Sequence, residues 1–180
     1  MTGLTLSIEG GIAEIQLDDG KVNALSETML EQLLAAIEEA AQADAALLIC
    51  GRPGCFSGGY DRKLIDVLLL GDYRVGAEGD FRIGVNEVAI GMTMPDGAML
   101  QARARLAPNW LNRCALQAEY LTPRQALEAG FFDELQSAEQ LLERAREKVR
   151  QLAKLDRRAY RETRTLLHAR LRMQLGKLFG

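Results

Sequence analysis

Cys55-Phe56-Ser57-Gly58-Gly59-Tyr60-Asp61 follows almost directly on an apolar run, Ala45-Ala46-Leu47-Leu48-Ile49-Cys50, and how the two are read decides the fold. The run is short enough for one buried strand and is bounded by Gly51 and Pro53. Adjacent glycines at 58 and 59 reach backbone conformations closed to other residues and let a ligand approach the main chain closely. From Asp61 a helix is predicted over Arg62 to Leu70, which puts N–H groups near Tyr60 at a helix N-terminus. Such groups can stabilise negative charge on a carbonyl oxygen. An ordinary Gly-Gly loop leaving a core strand fits the same residues.

Before that turn the pattern is strand, strand, helix. Leu4, Leu6 and Ile8, then Ile15 and Leu17, alternate at period two around Gly10-Gly11 and predict a hairpin. Lys21-Val22-Asn23-Ala24-Leu25 reads as a loop, and Ser26 caps a helix with Met29, Leu30, Leu33, Leu34 and Ile37 at helical spacing. Hairpin, helix and strand in this order predict a mixed sheet flanked by helices, an α/β fold.

After the turn, Asp72-Tyr73-Arg74-Val75-Gly76-Ala77 and Phe81-Arg82-Ile83-Gly84-Val85 look like short strands with glycine breaks. In Asn86-Glu87-Val88-Ala89-Ile90-Gly91-Met92 one carboxylate sits among apolar residues. Glu87 in such a place suits proton transfer; at a strand end it would point to water instead. Thr122-Pro123-Arg124-Gln125 combines an N-cap, a Pro at the first helical position and a capping-box Gln, with Gly130 as the stop. Ser137-Ala138-Glu139-Gln140 opens a second helix, and a last amphipathic segment runs from about Asp156 to Phe179. Residues 1–136 therefore read as the core and 137–180 as helices that cover a site or mediate assembly.

Composition excludes several classes. With 180 residues and 48% hydrophobic content the chain is long and apolar enough for one substantial core. No apolar run approaches a membrane span, and Met1-Thr2-Gly3-Leu4 lacks the basic and apolar regions of a signal peptide. Cys50, Cys55 and Cys114 form no CxxC pair and read as reduced thiols, so a cytoplasmic protein is expected. From Ser137 onward there are 12 Lys/Arg against 5 Asp/Glu, which leaves −10 of the overall −3 on residues 1–136. The basic stretch suits a phosphate-bearing ligand, an acidic neighbour or simply the solvated faces of amphipathic helices. Few aromatics interleave with it and the whole chain is acidic, so no nucleic-acid partner is expected. His168 is the sole histidine, far in sequence from Ser57 and Cys55, which argues against a Ser-His-Asp or Cys-His hydrolase. No metal is expected without clustered His or Cys, and there is neither a Walker A motif nor a GxGxxG after a strand.

Taken together, Val22-Asn23-Ala24-Leu25, Phe56-Ser57-Gly58-Gly59-Tyr60-Asp61, Asp72-Tyr73-Arg74-Val75-Gly76, Phe81 through Met92 and Leu121-Thr122 through Ala129-Gly130-Phe131 resemble the crotonase superfamily, the enoyl-CoA hydratase/isomerase family. Each motif is soft, but their order is specific, and the match extends over most of the chain. The resemblance implies a spiral of ββα turns with a C-terminal helical region, assembled as a homo-trimer or hexamer. It implies an acyl-CoA thioester as substrate, with coenzyme A entering as part of that substrate and no separate cofactor. Family members stabilise an enolate-like thioester oxygen in an oxyanion hole of two backbone N–H groups. By position one donor here is Tyr60, with Gly59 shaping the turn and Ala24, Gly58, Gly59 and Asp61 as substrate-binding residues. Glu87 matches an acid/base carboxylate of the hydratases, and Asp96 is a further residue near the acyl group.

The sequence also departs from the family. Asn86 stands where many members have proline, and Pro95-Asp96-Gly97 replaces a more glycine-rich segment. Between the Gly-Gly turn and Asp72, members carry a strand, a glycine-rich turn with the second N–H donor, and a helix; here Arg62 to Gly71 alone fills the interval. Val67-Leu68-Leu69-Leu70 looks like the end of that helix, so a segment is missing near 66–71. Either the protein lacks most of one turn of the spiral or its sequence omits residues. Neighbouring turns would lose a packing partner in a true deletion, which favours omission. The expected function is enolate chemistry of the enoyl-CoA hydratase/isomerase type, with a non-catalytic CoA-binding or structural role as the alternative.

Overall fold

Glycines at 10 and 11, both with positive φ (57° and 77°), turn the first strand back on itself. In a computed structural model that describes residues 3–23, 26–56 and 64–179, β1 (Leu4–Glu9) and β2 (Ile12–Leu17) form the expected antiparallel hairpin. β3 (Ala46–Gly51) joins β2 in parallel, giving a mixed three-stranded sheet in the order β1-β2-β3. Period-two alternation puts Ala13, Ile15 and Leu17 on the buried face of β2, each fully shielded from solvent.

Ser26 caps the intervening helix as anticipated. Its side chain accepts from the Met29 N–H at 3.2 Å, and α1 (Glu27–Gln42) turns Met29, Leu33, Ala36 and Ala40 inward at helical spacing. By their contacts the residues group into two compact units, Met1–Leu64 with Leu142–Tyr160, and Ile65–Leu141 with Arg161–Gly180. In the first, α6 (Leu141–Leu152) buries Val149, and its Arg146 forks onto Glu14 of β2 at 2.9 and 2.7 Å. Arg157 reaches Asp44 at 2.8 Å in the same unit.

The second unit is mostly helical: α2 (Leu64–Leu70), α3 (Asp96–Arg105), α4 (Pro108–Ala115), α5 (Pro123–Ala129), the later part of α7 (Arg157–Leu167) and α8 (Ala169–Phe179). Its core gathers Leu69, Val85, Ala102, Leu106, Trp110, Leu121 and Phe131. The capping box at Thr122 and Gln125 is complete, and Gly130 stops α5 in a left-handed conformation at φ 95°.

Two local expectations change. Of the two predicted strands, only β4 (Val75–Ala77) forms, parallel to β5 (Glu134–Gln136); the Phe81–Val85 run contributes a single bridge, Ile83 with Leu121. β4 is held by Arg74, whose guanidinium grips Asp133 at 2.9 and 3.0 Å and donates to the Gly130 carbonyl at 2.7 Å. The amphipathic segment expected from about Asp156 to Phe179 forms two helices, broken at His168.

Candidate active site

Asn23 explains why two motifs far apart in sequence belong together. It is completely buried at φ 53°, a left-handed conformation that Asn tolerates better than most residues. Its Nδ2 donates to the carbonyls of Leu17 (2.9 Å), Cys55 (3.2 Å) and Phe56 (3.2 Å), while Oδ1 accepts from the Asp19 N–H at 2.9 Å. One side chain thereby ties the Val22-Asn23 loop to the end of β2 and to the residues entering the Gly-Gly turn. From sequence Asn23 reads as part of a loop and of the Val22-Asn23-Ala24-Leu25 motif, neither of which shows this tethering role.

Ala24, Ser57, Gly58, Gly59, Tyr60 and Asp61 lie outside the described residues. Glu87 is described in full. It is buried, with 7% of its surface exposed, and it precedes a 3-10 turn, Val88–Ile90. It does not sit at a strand end pointing to water. Its main-chain carbonyl accepts from Ile90 N (3.1 Å) and Met92 N (2.8 Å), and Gly91 closes the turn at φ 74°. Its Oε2 is buried with no hydrogen-bond partner, as is Oε1 of Gln101 on α3. A buried acceptor without a partner costs on the order of 1–3 kcal/mol, so such an atom marks a place kept for something other than stability.

The residues leading into Glu87 are held by Tyr120 and Leu121, more than thirty positions on in the chain. Ile83 and Leu121 exchange backbone hydrogen bonds at 2.9 and 2.7 Å. Asn86 Nδ2 donates to the Tyr120 hydroxyl at 3.1 Å. The Tyr120 ring lies against Gly84, where an added Cβ would meet Cδ1 at 2.9 Å. Tyr120 has no counterpart among the residues singled out from sequence, because its partners lie more than thirty positions away. Asp96 is exposed in the first turn of α3, where a carboxylate complements the helix N-terminus.

Thiol chemistry finds no support at two of the three cysteines. Burial pushes the Cys50 thiol up to about 11, with Glu14 adding to the effect. Burial also raises buried Cys114, and a thiol held protonated is a poor nucleophile. The interval that looked short contains α2, whose Leu69 enters the core; the carbonyls of Leu69 and of Gly71, just past the helix, accept from Arg105 at 2.8 and 3.0 Å.

A family model described as enoyl-CoA hydratase/isomerase matches residues 65–179. The chain belongs to the enoyl-CoA hydratase/isomerase family. Solved structures of the family agree with that placement. An enoyl-CoA hydratase/isomerase family protein from Pseudomonas syringae is 30% identical with a TM-score of 0.90, over 97% of this chain and 94% of its own. An enoyl-CoA hydratase from Mycobacterium ulcerans is 31% identical with a TM-score of 0.89, over 97% and 95%. An enoyl-CoA isomerase of Mycobacterium tuberculosis is 30% identical with a TM-score of 0.88, over 97% and 96%. No curated protein matches the sequence. The fold is the crotonase-like α/β fold, and among the described residues no helix is long and apolar enough to cross a membrane.

Proposed function

We propose that this family member is an acyl-CoA enzyme that shifts a proton beside a thioester, with Glu87 as the acid/base. The observation that carries the reading is the buried carboxyl of Glu87, its Oε2 left without a partner, in a chain of the enoyl-CoA hydratase/isomerase family. Double-bond isomerisation of a 3-enoyl-CoA is the simplest such reaction, because one carboxylate serves both half-steps. Glu87 takes a proton from carbon 2, and the C–H electron pair delocalises as negative charge onto the thioester oxygen. When that enolate collapses, the double bond forms between carbons 2 and 3 and Glu87 returns the proton to carbon 4. The Tyr60 N–H is the proposed donor to the thioester oxygen, a role carried by the sequence motif alone, with Ala24, Gly58, Gly59 and Asp61 as proposed substrate-binding residues. Coenzyme A enters as part of the substrate, with no separate cofactor. Asp96, exposed on α3, is a proposed contact for the acyl portion. The site belongs to a homo-trimer or hexamer in the cytoplasm.

Hydration of a 2-enoyl-CoA is the neighbouring activity, and assays on both substrates separate the two. Glu87→Gln preserves size and removes the proton carrier. Its turnover is expected to fall by roughly 100-fold or more. Turnover equal to that of the parent protein would remove Glu87 from the mechanism. The second reading, a CoA-binding protein without catalysis, draws on the short interval between the Gly-Gly turn and Asp72. Saturable CoA binding with no turnover of either substrate would establish it.

A further inference from the structure

The buried carboxyl of Glu87 has no partner for Oε2, so its aim depends on how firmly the main chain at 86–92 is held. Behind Glu87 the turn is closed by Ile90 and Met92 donating to its carbonyl. Ahead of it, the Ile83–Leu121 pair fixes the chain three residues before Asn86. Between that anchor and Glu87, where Val85 packs into the core, one side-chain hydrogen bond among the described residues bridges to the neighbouring segment: Asn86 Nδ2 to the Tyr120 hydroxyl at 3.1 Å. The aromatic ring is placed for this by Gly84, whose missing side chain makes room for it. Tyr120 is half exposed, which is unusual for a side chain that only fills a core.

We propose that Tyr120 is a positioning residue: with Asn86 it forms a tether that fixes the backbone of Glu87 and thereby the aim of its carboxylate. The inference deepens the acid/base reading of Glu87 and rests on it. The tether is solvent-exposed and neutral, so its effect is small and specific. It acts on turnover without adding to substrate affinity, because neither partner is the proton carrier.

Three single variants and one double test it. Tyr120→Phe keeps the ring on Gly84 and removes the hydroxyl. Asn86→Ala removes the donor. Gly84→Ala leaves both partners and displaces the ring. Each is expected to lower kcat by roughly two- to tenfold with KM little changed, the range that one hydrogen bond spans. The Tyr120→Phe/Asn86→Ala double variant should lose no more than the poorer single, since both remove one interaction. A readout independent of activity is amide hydrogen exchange. The Ile90 and Met92 amides should exchange faster in Tyr120→Phe while those of Ile83 and Leu121 keep their protection. Unchanged kcat together with unchanged Met92 exchange in Tyr120→Phe would overturn the tether. So would single losses that add in the double variant, or a general loss of protection that includes Leu121. If the parent protein turns over no enoyl-CoA, the acid/base reading fails on that assay, and exchange at Met92 still decides whether the tether exists.

Discussion

Asn23 carries more of the local structure than any other single polar residue described in the first unit. Its amide group makes four hydrogen bonds from a fully buried position, three of them to carbonyls that are buried (Leu17) or partly buried (Cys55 and Phe56). Asn23→Ala strands those carbonyls and also places a Cβ-bearing residue without a local hydrogen bond at positive φ. The expected loss of stability is about 3 kcal/mol, read as a lower denaturant midpoint at unchanged slope. A loss within about 0.5 kcal/mol would mean that the carbonyls are solvated in the variant and that the motif is not held by this side chain. Glu87 was legible as a chemical candidate because an isolated carboxylate in an apolar run is visible in the sequence. Its burial was not legible, since what covers it comes from elsewhere in the chain. Asn23 and Tyr120 show the same limit from the other side. Their residue types are ordinary, and their importance lies in partners 32 to 34 positions distant.

Elements written by local signals were read correctly from sequence. Ser26, Thr122 with Gln125, and Gly130 act within four residues of themselves, so caps and stops could be placed before any tertiary contact was known. β3 was also read correctly although its partner β2 lies over thirty positions away, but a second element that needs a distant partner was misjudged. Phe81–Val85 has strand-like composition, but only Ile83 finds a bridging partner at Leu121, and one bridge does not make a strand. The break at His168 likewise has no cap or glycine to announce it. In α7 and α8, Leu166, Leu167, Met173 and Leu178 remain exposed, and Arg161, Glu162, Thr165 and Leu166 line an open depression of about 450 Å³. Four exposed large apolar side chains on consecutive helices fit the proposed assembly with further copies of the chain. Light scattering is expected to give a mass of three or six copies, and Leu166→Asp with Leu167→Asp to lower it. A parent protein that runs as one copy at micromolar concentration would remove assembly from the proposal.

At the scale of the whole molecule the uneven charge finds much of its answer inside the chain. The surplus of Lys/Arg after Ser137 faces the acidic earlier residues: Arg146 takes Glu14, Arg157 takes Asp44, and Arg164 takes Asp72 at 2.7 Å. Internal pairing thus engages Arg146, Arg157 and Arg164 of that surplus. Two groups at these pairings, Glu14 beside Arg146 and His168 beside Arg164, leave a mark on stability against pH. Burial, then the nearby Arg105 and Arg164, hold His168 below the usual histidine value, with Asp72 opposing them from 3.9 Å. A histidine depressed in the folded state keeps its full stability above the unfolded value near 6.5 and loses it as the pH falls toward the folded value. Glu14, held low chiefly by its hydrogen bonds to Arg146, contributes in a lower window: its stability is present above 4.5 and disappears as the pH falls through its folded value. The two windows can be separated by one substitution. Chemical denaturation of the parent protein should show stability falling between pH 7.5 and 5.5, whereas His168→Gln, which takes up no proton there, should show a flatter profile. Below pH 4.5 the two should fall with similar slopes, because Glu14 and Arg146 are intact in both. Parallel profiles between pH 7.5 and 5.5 would show that His168 titrates alike in the folded and unfolded chain, and that the Arg105–Arg164–Asp72 cluster exerts no net pull on it.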